Sequence, residues 1–505
     1  MNWQESAITI ATFLPTAGAV LIVLMPKRND RAIRATGIAV TGVAMLAALA
    51  MLLGYHIHQP GLQFELNVPW ISVIGARYHV GIDGISLPLF ELTFVLSFLC
   101  AIYTWRYVPS PGNTKAFLAL ILLLETGMAG TFIAFDLVLF FVFWELVLVP
   151  MYFLIGVWGS TNREYAAIKF FLYTLFGSVF MLLGFLGMYF NSPGAHTFDI
   201  IQLQQFGAGG GFSNNFQLVV FAAVFLGFAI KVPMWPFHTW LPDAHTEAPT
   251  VGSVLLAGIL LKMGTYGFVR IAMPILPYAA RKWAPWIGLL AAIAIVYAAL
   301  ACLAQKDLKR LIAFSSVGHM GFVMLGIATL TAAGVNAAVF GMVAHGIITG
   351  MLFFCVGSIY DRYHTRQISE IGGGMLLKVP KLAGIFAFVS IASLGLPGLA
   401  GFWGEVGALL AAFNPLPGLP VGLFRTYMVL GAVGTVLTAG YFLWMLQRVN
   451  LGVVPEKWQA KLIADVNRPE WISWSPLIAA TVVFGVLPSL IFGVTDAAVK
   501  TLYGS

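Results

Sequence analysis

Charge is scarce in this chain. Only 9% of its 505 residues are Asp, Glu, Lys or Arg, where a soluble domain carries about 25%. Cysteine is scarcer. Cys100, Cys302 and Cys355 each sit in an apolar run, and none belongs to a Cys-x-x-Cys pair. That spacing excludes an iron–sulfur cluster, a zinc knuckle and a disulfide frame. There is no P-loop, no Gly-x-Gly-x-x-Gly opening a helix and no nucleophile triad. No two histidines or carboxylates stand at a metal-ligand spacing within an apolar run. Nothing here would hold a flavin, a haem or a cluster, so direct redox chemistry is not expected of this chain. The N-terminal stretch Met-Asn-Trp-Gln-Glu-Ser-Ala has no Lys or Arg, and no small-residue cleavage site follows its apolar run. Residues 7–25 are therefore expected to be a retained helix rather than a signal peptide.

Apolar residues fill the space that charge leaves. Sixty per cent of the chain is hydrophobic and the mean hydropathy is +0.90. This excludes a soluble globular protein and a disordered one. A bilayer crossing takes about 20 apolar residues, so the chain has room for more than ten helices. The expected fold is an all-α polytopic membrane protein of about fourteen transmembrane helices. The predicted spans are 7–25, 33–53, 85–106, 115–133, 136–156, 166–189, 216–232 continuing past a break, 249–272, 285–304, 308–329, 334–358, 379–396 continuing past a break, 425–448 and 474–495.

The net charge of +7 is a topology signal rather than a nucleic-acid footprint. Nineteen of the 27 Lys and Arg residues lie in or beside the loops on one side of this layout, six on the other and two inside helices. Positive loops stay in the cytoplasm, so both termini are expected to face outward. The long loop 190–215 carries no Lys or Arg, as an outer loop should.

Two predicted helices are interrupted. Lys231-Val-Pro233-Met-Trp-Pro236 breaks the seventh, and Gly395-Leu-Pro397-Gly398-Leu-Ala-Gly401 breaks the twelfth. Proline removes a donor and clashes with the preceding turn, and glycine weakens a helix. Breaks five helices apart fit two five-helix repeats. An odd helix count sets such copies in opposite orientation, a transporter signature. The expected division is residues 1–114 for three N-terminal helices, 115–273 for the first repeat (helices 4–8), 274–450 for the second (helices 9–13) and 451–505 for a C-terminal helix. The plainer alternative is that Pro and Gly are common in membrane helices.

Ionisable groups at membrane depth cost energy and need a reason. Glu145 lies near the middle of the fifth predicted helix without a counter-charge nearby in sequence; it is a proton-exchange group or half of a structural ion pair with another helix. Lys231 ends the first half of the seventh, where freed carbonyls favour a cation, unless it snorkels to an interface. Lys262 stands about 20 Å into the eighth, near mid-bilayer. Glu405 is expected in the first turn after the second break, where the helix dipole favours a carboxylate. His319 and His345 lie in consecutive apolar helices, as relay members or as hydrogen-bonded structural groups. Glu125 is also embedded in an apolar run. Asp136 reads as an N-cap. This inventory supports proton exchange, with Na⁺ coordination as an alternative.

Several stretches carry a family resemblance. They are Asp-Gly-Ile-Ser (83–86), Phe-Trp-Glu-Leu-Val-Leu-Val-Pro-Met-Tyr-Phe (143–153), Lys-Val-Pro-Met-Trp-Pro-Phe-His-Thr-Trp-Leu-Pro-Asp-Ala-His (231–245), Leu-Leu-Lys-Met-Gly-Thr-Tyr-Gly (260–267), Lys-Asp-Leu-Lys-Arg-Leu-Ile-Ala-Phe-Ser-Ser-Val-Gly-His-Met-Gly (306–321) and Gly-Phe-Trp-Gly-Glu (401–405). Over essentially the whole chain the sequence resembles the antiporter-like subunits of respiratory complex I, of the M type (chain 4 in mitochondria). The resemblance implies one proton channel. Glu145 and Lys231 would pair as a switch, Lys262, His319 and His345 would connect the halves, and Glu405 would be the terminal site. It also implies other membrane subunits as partners, including L-type and N-type antiporter-like ones, within a bacterial inner membrane. FMN and iron–sulfur clusters would be carried elsewhere in the complex. Alternatives are a subunit of a multisubunit Na⁺/H⁺ antiporter, or of a ferredoxin-driven or hydrogenase complex. Glu405 weighs against the antiporter, since the sister subunits usually carry Lys there.

Overall fold

The computed structural model describes residues 3–57, 59, 61–105, 107–194 and 196–504. Arg106, counted above among the nineteen, lies outside them, as do Met1 and Asn2. Among the described residues, twelve helices are long and apolar enough to cross a membrane, and a bent pair makes thirteen. The fold is an all-α polytopic membrane bundle. In the bilayer every backbone N–H and C=O must be satisfied internally, and helices do this within one segment.

Antiparallel neighbours line up along the chain. Arg163–Phe190 packs along Asn214–Lys231, Pro277–Leu303 along Leu308–Ala328, and Ala332–Tyr363 along Ala400–Phe413. Small residues allow these approaches. A Cβ on Gly404 would come within 2.5 Å of Gly341 Cα. At the centre lies Thr250–Ile275, buried along residues 251–273. Two stretches of it are π-helical, Leu256–Leu260 and Phe268–Ala272. Such widened turns occur often at functional sites.

The layout of elements departs from the expectation in two places. The segment taken as the first outer loop contains a hairpin of β1 (Gln63–Ile71) and β2 (Ala76–Ile82), paired antiparallel. Its apolar residues Phe64, Leu66, Val68 and Trp70 alternate with polar ones or Pro, the period of a strand. The last predicted helix is two helices, Arg468–Val486 and Ser489–Tyr503, bent by 69°. Pro488 stands at the bend as N-cap of the second. The fifth predicted helix forms one span, Leu137–Trp158, with Val147 between Leu137–Leu146 and Leu148–Trp158. Asp136 caps it as expected, accepting from the amides of Val138 and Leu139.

The two interrupted regions are resolved in detail. Asn214–Lys231 ends in a turn before the short helix Trp240–Glu247. Pro380–Ser393 ends before Ala400–Phe413, with Gly395 and Gly398 at positive φ between them. Those backbone conformations are open to glycine and strained for most other residues.

Candidate functional site

The Thr250–Ile275 helix places Lys262 in the interior, fully buried. Its Nζ donates to the Ala257 carbonyl inside the first π-helical stretch and stands 2.6 Å from His345 Nδ1. Charged lysine has only donors. With the lysine in that form, His345 Nδ1 accepts and the neutral ring carries its hydrogen on Nε2.

Next along the row is His319, on Leu308–Ala328. The two imidazole centroids are 5.7 Å apart. His319 Nδ1 lies 2.8 Å from Glu405 Oε1, and its Nε2 lies 2.9 Å from Ser393 Oγ. A neutral ring with Nδ1–H donating to the carboxylate and Nε2 accepting from the serine satisfies both contacts. Glu405 Oε2 has no hydrogen-bond partner and faces Gly395, where a Cβ would sit 3.0 Å from it. Glu405 is the sixth residue of Ala400–Phe413, not in the first turn. The expected dipole support therefore fades, since it is confined to the first turn; His319 supplies the contact instead.

Lys231 and Glu145 are placed differently. Lys231 is the last residue of its helix and is buried. The nearby Ile230 carbonyl is taken by Trp240 Nε1 at 2.9 Å. The Lys231 ammonium instead lies over the Trp144 ring, 5.1 Å from its centroid, with Phe170 at 6.0 Å. A cation over an aromatic face is attracted by its quadrupole. Glu145 neighbours Trp144 in sequence, yet its carboxylate is not joined to Lys231 as an ion pair. One of its oxygens is buried without a hydrogen-bond partner. Glu125 is fully buried, both oxygens unpartnered, and is not joined to the row by any hydrogen bond.

Three further buried groups with unpartnered polar atoms, Glu91, His238 and His245, are not among the site residues expected from the sequence. Glu91, on Ser86–Tyr103, has two unpartnered oxygens. His245 is stacked on Phe353 at 4.4 Å with neither ring nitrogen bonded. His238 lies against Tyr297. The same anomaly, an ionisable side chain in an apolar run, marks Glu91 in the sequence. The histidines lie in the Pro- and Trp-rich break, where that contrast is lost.

Among the described residues, no three His, Cys, Asp or Glu side chains are placed to share a metal ion, and all three cysteines are free and buried.

Residues 134–431 match the family model described as NADH:quinone oxidoreductase/Mrp antiporter, TM. NADH-quinone oxidoreductase subunit M of Rickettsia bellii (strain RML369-C) is 42% identical over 504 residues, covering 98% of each chain. The subunit of the same name from Rhodobacter capsulatus is 41% identical, over 99% of this chain and 96% of that one. This chain belongs to the NADH-quinone oxidoreductase subunit M family. Family membership extends to folds already solved. A chain of respiratory complex I from Thermus thermophilus with bound NADH matches with a TM-score of 0.86 at 29% identity, covering 99% of this chain and 100% of that one. A chain of the Mrp complex from Dietzia sp. DQ12-45-1b matches with a TM-score of 0.84 at 21% identity, covering 100% and 98%, a likeness of fold.

Proposed function

We propose that this chain is a proton-translocating membrane subunit of an NADH-quinone oxidoreductase, driven by quinone reduction in other subunits and performing no redox chemistry itself. Family membership supports the assignment. The observation that carries the mechanism is the buried row of Lys262, His345, His319 and Glu405, whose ends are tied by hydrogen bonds of 2.6 and 2.8 Å.

In this reading Glu145 and Lys231 form the switch of the first half. A carboxylate moving toward or away from a lysine changes how tightly that lysine holds its proton. Lys262 and the two histidines pass the proton between halves, and Glu405 is the terminal exchange site. Glu125 is a secondary group. The two interrupted helices support reading residues 115–273 and 274–450 as inverted five-helix repeats. Taking Pro380–Ser393 with Ala400–Phe413 as one broken span then gives fourteen transmembrane helices, with 1–114 and 451–505 flanking the repeats. The charge bias of the loops supports a cytoplasmic face on the positive side, with both termini on the periplasmic side of the inner membrane. L-type and N-type subunits are the proposed neighbours.

The test is Glu405→Gln in the assembled complex, with proton uptake by reconstituted vesicles measured per electron transferred. The amide keeps shape and cannot titrate, so translocation should be lost. A Glu405→Gln complex that pumps at the wild-type ratio would overturn the terminal-site assignment.

A further inference from the structure

The hydrogen-bonded row has one gap. Lys262 joins His345, and Glu405 joins His319 and, through it, Ser393. No direct hydrogen bond joins the two groups, although their rings are neighbours. A cavity of about 30 Å³ lies at the gap, lined by His319, His345, Thr349, Ser393, Gly341 and Glu405 among others. Three of its lining residues, His345, Thr349 and Glu405, each have one unpartnered polar atom: Nε2, Oγ1 and Oε2. These residues are 6%, 1% and 7% exposed.

Thr349 is unlike the other buried threonines of the bundle. A helix threonine in an apolar setting ordinarily bonds its hydroxyl to the carbonyl four residues back. Thr12, Thr41, Thr93, Thr131, Thr174 and Thr481 all do so. Thr349 does not. It sits one turn after His345 on the same helix, and so on the same face. A buried polar atom without a partner costs about 1–3 kcal/mol. Three such atoms around one small cavity are satisfied together by a water molecule, which needs roughly 10–15 Å³ of such space and two to four polar partners.

We propose that Thr349 positions one water molecule that bridges His345 Nε2 to Glu405 Oε2 and closes the proton row. The inference rests on the relay reading above. His345 Nε2–H donates to the water oxygen, one water O–H donates to Glu405 Oε2, and the Thr349 hydroxyl fixes the orientation. Transfer then balances without a free ion. The Lys262 Nζ–H bond breaks as His345 Nδ1–H forms. His345 Nε2–H breaks as a water O–H forms, and the other water O–H breaks as Glu405 Oε2–H forms. Lysine ends neutral, glutamate ends protonated, and the histidine has exchanged one tautomer for the other. Thr349 is a positioning residue in this scheme and carries no proton of the transfer.

The experiment compares Thr349→Val, Thr349→Ser and Glu405→Gln in the assembled complex, reading protons translocated per electron. Alongside it goes a structure of the wild-type and valine complexes in which buried waters are resolved. Valine should lower translocation roughly threefold to tenfold, the range of one lost hydrogen bond, and remove the water. Serine should restore most of it, which a purely steric role for the threonine would not require. A water should lie within hydrogen-bond distance of all three atoms in the wild type. Wild-type pumping by an assembled Thr349→Val complex, or a wild-type cavity without water where other buried waters are seen, overturns the proposal. Should valine prevent assembly, the serine variant and the wild-type density decide it. If Glu405→Gln is inactive while Thr349→Val is unchanged, only the water bridge fails. If Glu405→Gln pumps normally, the relay itself fails.

Discussion

Lys262 and His345 are 83 positions apart in sequence, yet their buried side chains meet Nζ to Nδ1 at 2.6 Å. The contact joins a helix assigned above to the first repeat with one assigned to the second. In the relay proposed above, this lysine and imidazole are the seam across which the proton passes between the halves.

Removing either member of the first-half pair should stop translocation. Lys231→Ala takes away the cation over Trp144, and Glu145→Ala takes away the carboxylate with the unpartnered oxygen. Each variant leaves the other group without its modulator. Vesicle-based proton uptake should fall to background in both while native gels show an intact complex. Near-normal uptake in either one would reject the pair as the switch.

Gly395 should not tolerate a side chain. Its φ is +76° and an added Cβ would lie 3.0 Å from Glu405 Oε2. Gly395→Ala therefore strains the backbone by about 1–3 kcal/mol and pushes on the carboxylate. Translocation should drop severalfold, with thermal stability of the complex lowered by a few degrees. An alanine complex matching the wild type in both measurements would show that the turn has room that the geometry denies.

The hairpin supplies a pH-dependent clasp outside the bilayer. His79 is held between Asp199 at 2.6 Å and Glu65 at 2.9 Å. Burial pushes its ionisation down, but the Asp199 hydrogen bond and charge, followed by those of Glu65, outweigh this and raise it above 6.5. A raised folded-state value stabilises fully below the unfolded value of about 6.5 and loses that stabilisation as pH climbs through the folded value. Hydrogen-exchange protection of β1 and β2 should be greatest below about pH 6.5 and decline as pH climbs through the raised value of His79. His79→Asn should give lower protection with a flat profile. A wild-type profile that rises with pH would contradict the assignment.

Asp83 and Arg270 form a buried pair, with both carboxylate oxygens 2.6 Å from Arg270 Nη2. Breaking a buried pair by neutralising one partner costs about 3–5 kcal/mol because the other charge is stranded. Asp83→Asn and Arg270→Met should each reduce the yield of assembled complex on native gels, and the double variant should recover part of it. A double variant no better than the worse single one would argue against the pairing as the cause.

Where the sequence was informative, it was so through contrast. Lys262, His345, His319 and Glu405 stand out because each interrupts a run of apolar residues, and the bundle brings all four together. Their order along the row was not legible, since it depends on which helices pack, and His319 approaches Glu405 rather than Lys262. The strand alternation from Phe64 to Trp70 was present in the residues but lay in a segment too polar to be counted as a span. The π-helical stretches around Lys262 have no compositional mark; they reflect a shift of hydrogen-bond register imposed by packing. Glu405 was placed one turn too early because Gly401 reads as part of a break, while the helix already starts at Ala400.

The helix that carries Lys262 is enclosed on every side along residues 251–273. Bilayer thickness and lipid composition act on a helix through its lipid-facing surface, and this one has none. Its chemistry is therefore insulated from the solvent in which the protein is dissolved. Thinner or thicker bilayers should alter the outer helices, such as Arg163–Phe190 with its exposed Leu172, Phe176 and Leu183, long before they disturb the lysine.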